Sequence, residues 1–161
     1  MKIAPPRRAV LALPLLALAP VAEAQAPAGD GLVTVPSAHP PRATLDRFAA
    51  AVRAAGWVVF TEIDHAAAAR QVGMDLPART VLLFGNPRAG TPGMAVNPTL
   101  ALDLPLRVLV WQDGAGRTFL TRSSGADLAS RLFARHGVTV PAEGQAATEA
   151  LLERLARQAT E

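Results

Sequence analysis

A chain of 161 residues, half of them apolar, is long enough to bury one core without help from a metal or a disulfide. With no cysteine anywhere, a disulfide framework, a thiol nucleophile, thiolate metal ligands and a lipid-modified N-terminal cysteine are all excluded. Two units of the formal charge of +3 come from Lys2, Arg7, Arg8 and Glu23 at the start of the chain; the +1 that remains is carried by scattered single arginines, which form no basic surface for nucleic acid.

Residues 1–24 read as a secretory signal peptide, with Lys2, Arg7 and Arg8 ahead of an apolar run from Ala9 to Ala19 and the small-residue exit Ala22-Glu23-Ala24. Pro14 and Pro20 interrupt that run, which is too short to span a bilayer as a stable helix, so no membrane anchor is expected after cleavage near Ala24. The mature protein is therefore expected in the periplasm or outside the cell, by the ordinary secretory route or, given Arg7-Arg8, the twin-arginine route. Residues 25–31 form an Ala/Gly/Pro-rich spacer. An α+β domain is expected over 32–137, with 138–161 as a C-terminal linker and helix.

Within that domain Leu32 to Pro36 alternates as a short strand. Thr44 then stands as an N-cap for a helix that sets Leu45, Phe48, Ala49 and Val52 on one face and stops at Gly56. Trp57 to Asp64 is aromatic and β-branched, a strand whose period puts Glu62 and Asp64 on one face about 7 Å apart. Asp64 is placed to cap a short Ala-rich helix from His65 to Val72, and Gly73 ends it. Arg79 to Phe84 is apolar enough for an interior strand. Gly85 to Thr99, with Pro87, Gly90, Pro92, Gly93 and Pro98, reads as one long loop, and a loop of that length is more often functional or partner-facing than neutral. Leu106 to Trp111 and Arg117 to Arg122 flank the hairpin signal Asp113-Gly114-Ala115-Gly116. Helices over 127–136 and 148–158 close the chain, giving strand, helix, four strands and then helices: a mostly antiparallel sheet with helices on one face, which is α+β.

The run Phe60-Thr61-Glu62-Ile63-Asp64-His65-Ala66-Ala67, followed by Phe84-Gly85-Asn86-Pro87, Gly90-Thr91-Pro92, Met94, Pro98 and Leu102-Asp103-Leu104-Pro105-Leu106, resembles the bacterial and archaeal family of domain of unknown function three-hundred-and-two. The resemblance covers about Val33 to His136. It implies a fold similar to the TATA-binding-protein-like arrangement, members that form homodimers, and no established activity. One branch of that family carries cysteines beside the Asn-Pro and Leu-Pro elements; this chain has none, so thiol chemistry does not carry over.

The residues offer one candidate ligand-binding set: Glu62, Asp64, His65, Asn86, Thr91, Asn97 and Asp103. Two carboxylates beside an imidazole suit acid-base work, with one carboxylate orienting His65. The plainer reading has Asp64 capping the helix, Glu62 paired with an arginine such as Arg79 or Arg107, and His65 packed at a helix start. Asn86, Thr91 and Asn97 suit either amide donors at a pocket mouth or ordinary turn chemistry. Three histidines without an H-x-x-x-H pair make a poor metal set, and no metal or cofactor is expected. Met94 and Leu100-Ala101-Leu102 would be exposed beside the loop in a monomer, which favours a second copy as partner. The expectation is a ligand- or partner-binding homodimer with no catalytic residue; the alternative is an enzyme using His65 with Glu62 or Asp103.

Overall fold

The computed structural model describes residues 31–161; the expected signal peptide 1–24 and residues 25–30 of the spacer lie outside them. Five strands, β1 (Leu32–Ser37), β2 (Val58–Asp64), β3 (Arg79–Gly85), β4 (Leu106–Gln112) and β5 (Thr118–Ser123), form one sheet in the order β1-β5-β4-β3-β2, with every neighbouring pair antiparallel. Helices α1 (Pro41–Ala54) and α5 (Ala142–Thr160) pack on one face, while α2 (His65–Gln71) and α3 (Pro87–Val96) lie in the connections. A further helix, α4, starts at Gly125–Asp127, widens into a π-helical turn at Leu128–Phe133 and closes as a 3-10 turn at Ala134–His136. The class is α+β.

Period-two alternation sorts the sheet into two faces. Leu82 and Phe84 of β3, Leu106, Val108 and Val110 of β4 and Leu120 of β5 are buried with Leu45, Phe48 and Val52 of α1 and Leu152, Leu155 and Ala159 of α5. Phe84 sits at the centre of this core, edge-on to Phe48 at 5.1 Å and 6.2 Å from Trp57. The registers put Thr34, Thr121, Leu109, Val81 and Ile63 in one row across the opposite face. The core helices leave that face open, and Trp111 stacks on Phe119 there at 4.7 Å while its indole N–H donates to Thr121 Oγ1.

Phe60 is the extra residue of a β-bulge in β2: Val59 pairs with Phe84 and Thr61 with Leu83. Simple alternation puts Val59, Thr61 and Ile63 on one face. The bulge resets the phase, so Val59, Glu62 and Asp64 face the helices while Thr61 and Ile63 look out onto the open face.

Three element boundaries differ from the sequence reading. The first helix starts at Pro41, three residues before Thr44, because a proline at the first helical position has its φ preset and needs no N–H partner; Thr44 is instead buried and donates to the Pro40 carbonyl. The last helix starts at Ala142 with Pro141 as its N-cap in extended backbone, a position whose N–H makes no bond within the helix. Residues 85–99 are mostly helical, with Asn86 Oδ1 accepting the Arg88 N–H at 3.0 Å, Pro87 at the first position, and a 3-10 turn at Pro98–Leu102 closing the excursion. Its glycines are contact points: a Cβ on Gly93 would stand 3.2 Å from Leu100, which is buried.

Candidate functional site

The tip of β2 divides the sequence-derived set. Glu62 and Asp64 line a cavity of about 490 Å³ on the helix side, beneath Arg42 and Leu45 of α1 and Arg70 of α2. Arg42 donates to Glu62 Oε2 at 2.7 Å and also pairs with Asp46 one helical turn away. That guanidinium holds the Asp46 carboxyl below the usual carboxylate range. Asp64 Oδ1 accepts the Ala67 N–H at 2.9 Å, which caps α2. Both carboxylates therefore already have partners, and the arginine on Glu62 comes from α1, not from β3 or β4.

His65 projects the other way. It lines a separate hollow of about 310 Å³ with Ile63, Val81, Leu83, Leu102, Leu104 and Pro105, and Arg107 stands at the same wall. The Leu104-Pro105 peptide is cis. This hollow opens on the uncovered face of the sheet and is mostly apolar, with one imidazole and one guanidinium as its ionisable groups. Among the described residues no hydrogen bond or ion pair joins His65 to a carboxylate.

Asp103 belongs to a third cluster. Its Oδ2 takes His136 Nε2 at 2.6 Å and the Arg135 guanidinium at 2.5 Å, while His136 Nδ1 lies 3.0 Å from Thr99 Oγ1. The His136 hydrogen bond, with Arg135 beside it, holds the Asp103 carboxyl below its usual range. A hydroxyl, an imidazole and a carboxylate thus stand in a chain, but the His136 side chain is only 5 % exposed, so the chain fastens the end of α4 to the 3-10 turn and leaves no room for a substrate at the ring. Asn86, Thr91 and Asn97 line neither cavity and take no part in the Asp103 cluster: Asn86 caps α3, Thr91 is exposed on it, and Asn97 joins it to the 3-10 turn. Among the described residues no group of three His, Asp or Glu side chains is placed to hold a metal ion.

Arg135 and His136 are the site residues that sequence reasoning did not single out, while Arg107, offered as a partner for Glu62, stands instead at the wall of the His65 hollow. The only signal was indirect: His136 sits just ahead of a helix-stopping Gly137, and nothing local shows that Asp103 lies across from it.

The family model described as "Domain of unknown function DUF302" matches residues 33–157. The chain belongs to this family. The crystal structure of an uncharacterized conserved DUF302 protein from Bacillus stearothermophilus shares the fold at a TM-score of 0.65 and 17% identity, over 80% of this chain and 97% of that one. Among curated proteins, Fluoride-specific ion channel FluC 1 from Brucella suis biovar 1 (strain 1330) is 46% identical over 102 residues, which is 63% of this chain and 40% of that protein. Fluoride-specific ion channel FluC 2 from Brucella melitensis biotype 1 matches at the same identity over 38% of its length. The chain thus spans well under half the length of these relatives. Among the described residues no helix is long and apolar enough to cross a membrane.

Proposed function

We propose that this DUF302 domain is an exported binding module that works as a homodimer: two copies meet across their open sheet faces and roof the hollow beside His65, where a small, largely apolar ligand is held. The single observation that supports this most is the open face itself. Ile63, Leu32 and Phe60 are 44%, 47% and 52% exposed there, beside half-buried Val81, Leu83 and Leu109, and the helices that cover the core leave them uncovered. Five strands at about 4.8 Å spacing by six residues at about 3.3 Å give a projected face of roughly 24 by 20 Å. Side-chain relief and neighbouring Leu102 raise its accessible area toward the about 800 Å² per partner that stable dimers bury. Leu102 is 74% exposed and fits this interface, whereas Leu100 is buried within its own chain.

The hollow's chemistry favours binding over turnover. A general base needs an orienting partner within hydrogen-bond reach, and the carboxylates offered for that role are engaged by Arg42, by the α2 backbone and by His136. The Brucella relatives named as fluoride-specific ion channels join a segment like this one to further sequence, which supports a membrane protein as a second partner beside self. Export rests on the composition of residues 1–24.

Light scattering on the purified protein tests the reading: the mass is expected to be that of a dimer, and Leu109→Glu, which sets two charges against each other at the centre of the face, is expected to give a folded monomer. A wild-type monomer at high concentration would sink the proposal.

A further inference from the structure

Arginines are the commonest charged residue of this chain, and the structure distinguishes them by what each guanidinium already holds. Arg42 is taken by Asp46 and Glu62, Arg117 by Asp113 and Arg122 by Glu149, while Arg79 donates to the Gln112 carbonyl at 2.8 Å and lies over the Trp111 ring. Arg70, Arg88, Arg154 and Arg107 hold no such partner among the described residues, and of these four Arg107 alone stands in the sheet. It projects from β4 and is exposed. Beside it a cleft of about 210 Å³ opens where β4, β5 and α4 meet, and Arg131 and Arg135 reach the same cleft from successive turns of α4.

The charges do not cancel. Arg131 pairs with Asp127 at 3.0 Å and Arg135 with Asp103 at 2.5 Å, so two of the three cations are matched and Arg107 leaves one positive charge over. Ser123 also lines the cleft, and its hydroxyl is engaged in no hydrogen bond among the described residues. Leu106 and Leu128 are buried at its floor. A guanidinium offers a planar fork of N–H donors that matches two oxygens of a carboxylate or phosphate, and a neighbouring hydroxyl supplies a further donor.

We propose that this cleft is a binding site for a small oxyanion, a phosphate or carboxylate group, held by the Arg107 guanidinium and the Ser123 hydroxyl, with the Arg131–Asp127 and Arg135–Asp103 ion pairs forming its rim. Arg107 and Ser123 alternate with buried Leu106, Val108 and Arg122, so the cleft borders the open face of the sheet, and Arg107 stands between it and the hollow beside His65. An anionic group seated in the cleft would leave the His65 hollow free for an apolar body.

Isothermal titration of the purified protein with inorganic phosphate, and separately with acetate, tests this, with sodium chloride at matched ionic strength as the background. One phosphate or acetate per chain is expected to bind saturably above that background, and which of the two binds more tightly distinguishes the tetrahedral from the planar head group. Arg107→Gln is expected to weaken binding about ten-fold or more, and Ser123→Ala a few-fold, since charge-assisted hydrogen bonds are the stronger kind. His65→Ala is expected to bind like the wild type. Arg107 has no structural partner to lose, so the Arg107→Gln melting temperature without anion should match the wild type. Heats no larger than those of chloride for both anions would overturn the proposal, as would unchanged affinity in Arg107→Gln. Neither result bears on the dimer, which light scattering reads independently.

Discussion

Arg122 is the most consequential single residue outside the candidate sites, because it is a charge with only 3% of its side chain exposed, on the core face of a strand. Its cost is offset by Glu149 of α5, which takes two of its N–H groups at 2.6 and 3.3 Å and also accepts the Gly125 N–H at 2.6 Å. Arg122 first, then the Gly125 amide, holds the Glu149 carboxyl below its ordinary 4.5 against the opposing effect of burial. Because the folded pKa lies below the unfolded one, the stabilisation is whole above pH 4.5 and is lost as pH falls through the lower, folded value. Glu149→Ala strands a buried cation and is expected to lower unfolding stability by about 3 kcal/mol, the low end for a broken buried pair, since the carboxylate itself is partly open to water. Arg122→Met should cost less, because it removes the charge along with its need for a partner. Chemical denaturation of both variants at neutral pH checks the order, and the gap between Glu149→Ala and wild type should narrow on acidification. None of this was legible in the sequence: Arg122 and Glu149 share no motif and no period, and only the packing of α5 brings them together. The same holds for Asp103 and His136. Glu62 and Asp64 were legible as a pair on one face, since strand periodicity alone places them.

At the level of elements, the strands were read almost residue for residue, because β-branched runs bounded by Gly, Pro and Asp carry their own limits. Helix starts were read less well. The sequence reading puts the first cap at Thr44, Pro87 in a loop and residue 141 in the C-terminal linker, yet Pro41, Pro87 and Pro141 each stand at or just before a helix, where a missing N–H has no cost. The stops were clearer: Gly56 and Gly137 take φ of 75° and 74°, the left-handed geometry that a helix end needs and other residues resist. Close approach also depends on glycine where α4 meets α5. A Cβ on Gly125 would come within 2.5 Å of the Gln145 carbonyl oxygen and 3.2 Å of the Glu149 Cβ. Gly125→Ala is therefore expected to push α5 away from β5 and to destabilise by about 1–3 kcal/mol, the range for overpacking. The measurement is thermal unfolding beside a control, Gly114→Ala, at a hairpin position where an added Cβ meets nothing within 4 Å. Equal melting temperatures for the two variants would show that the contact between α4 and α5 does not depend on this glycine.

Across the whole molecule, burial is distributed unevenly, and that sets where the chain should open. β4 lies at the centre of the sheet, paired on both sides, with Leu106, Val108 and Val110 buried, and β3 beside it buries Leu82 and Phe84. β2 is an edge strand with nearly every residue exposed, interrupted by the Phe60 bulge, and α2 buries only Ala66. Local opening free energy follows buried apolar contact, so the tip of β2 and α2 should exchange their amide hydrogens far sooner than β4 does. That region carries Glu62, Asp64 and His65, which places the wall of the hollow on the least anchored part of the fold and the cleft at Arg107 on its most anchored strand. Native-state hydrogen exchange is expected to show β4 opening only with global unfolding and α2 opening well below it. Raising the protein concentration should slow exchange in Thr61 and Ile63 of β2 if a second copy covers the open face, while α2, on the helix side, stays fast. Protection of α2 equal to that of β4 would mean that the β2 tip is held by contacts beyond those within one chain, and the hollow would then be a rigid feature of the assembly rather than a site with a movable wall.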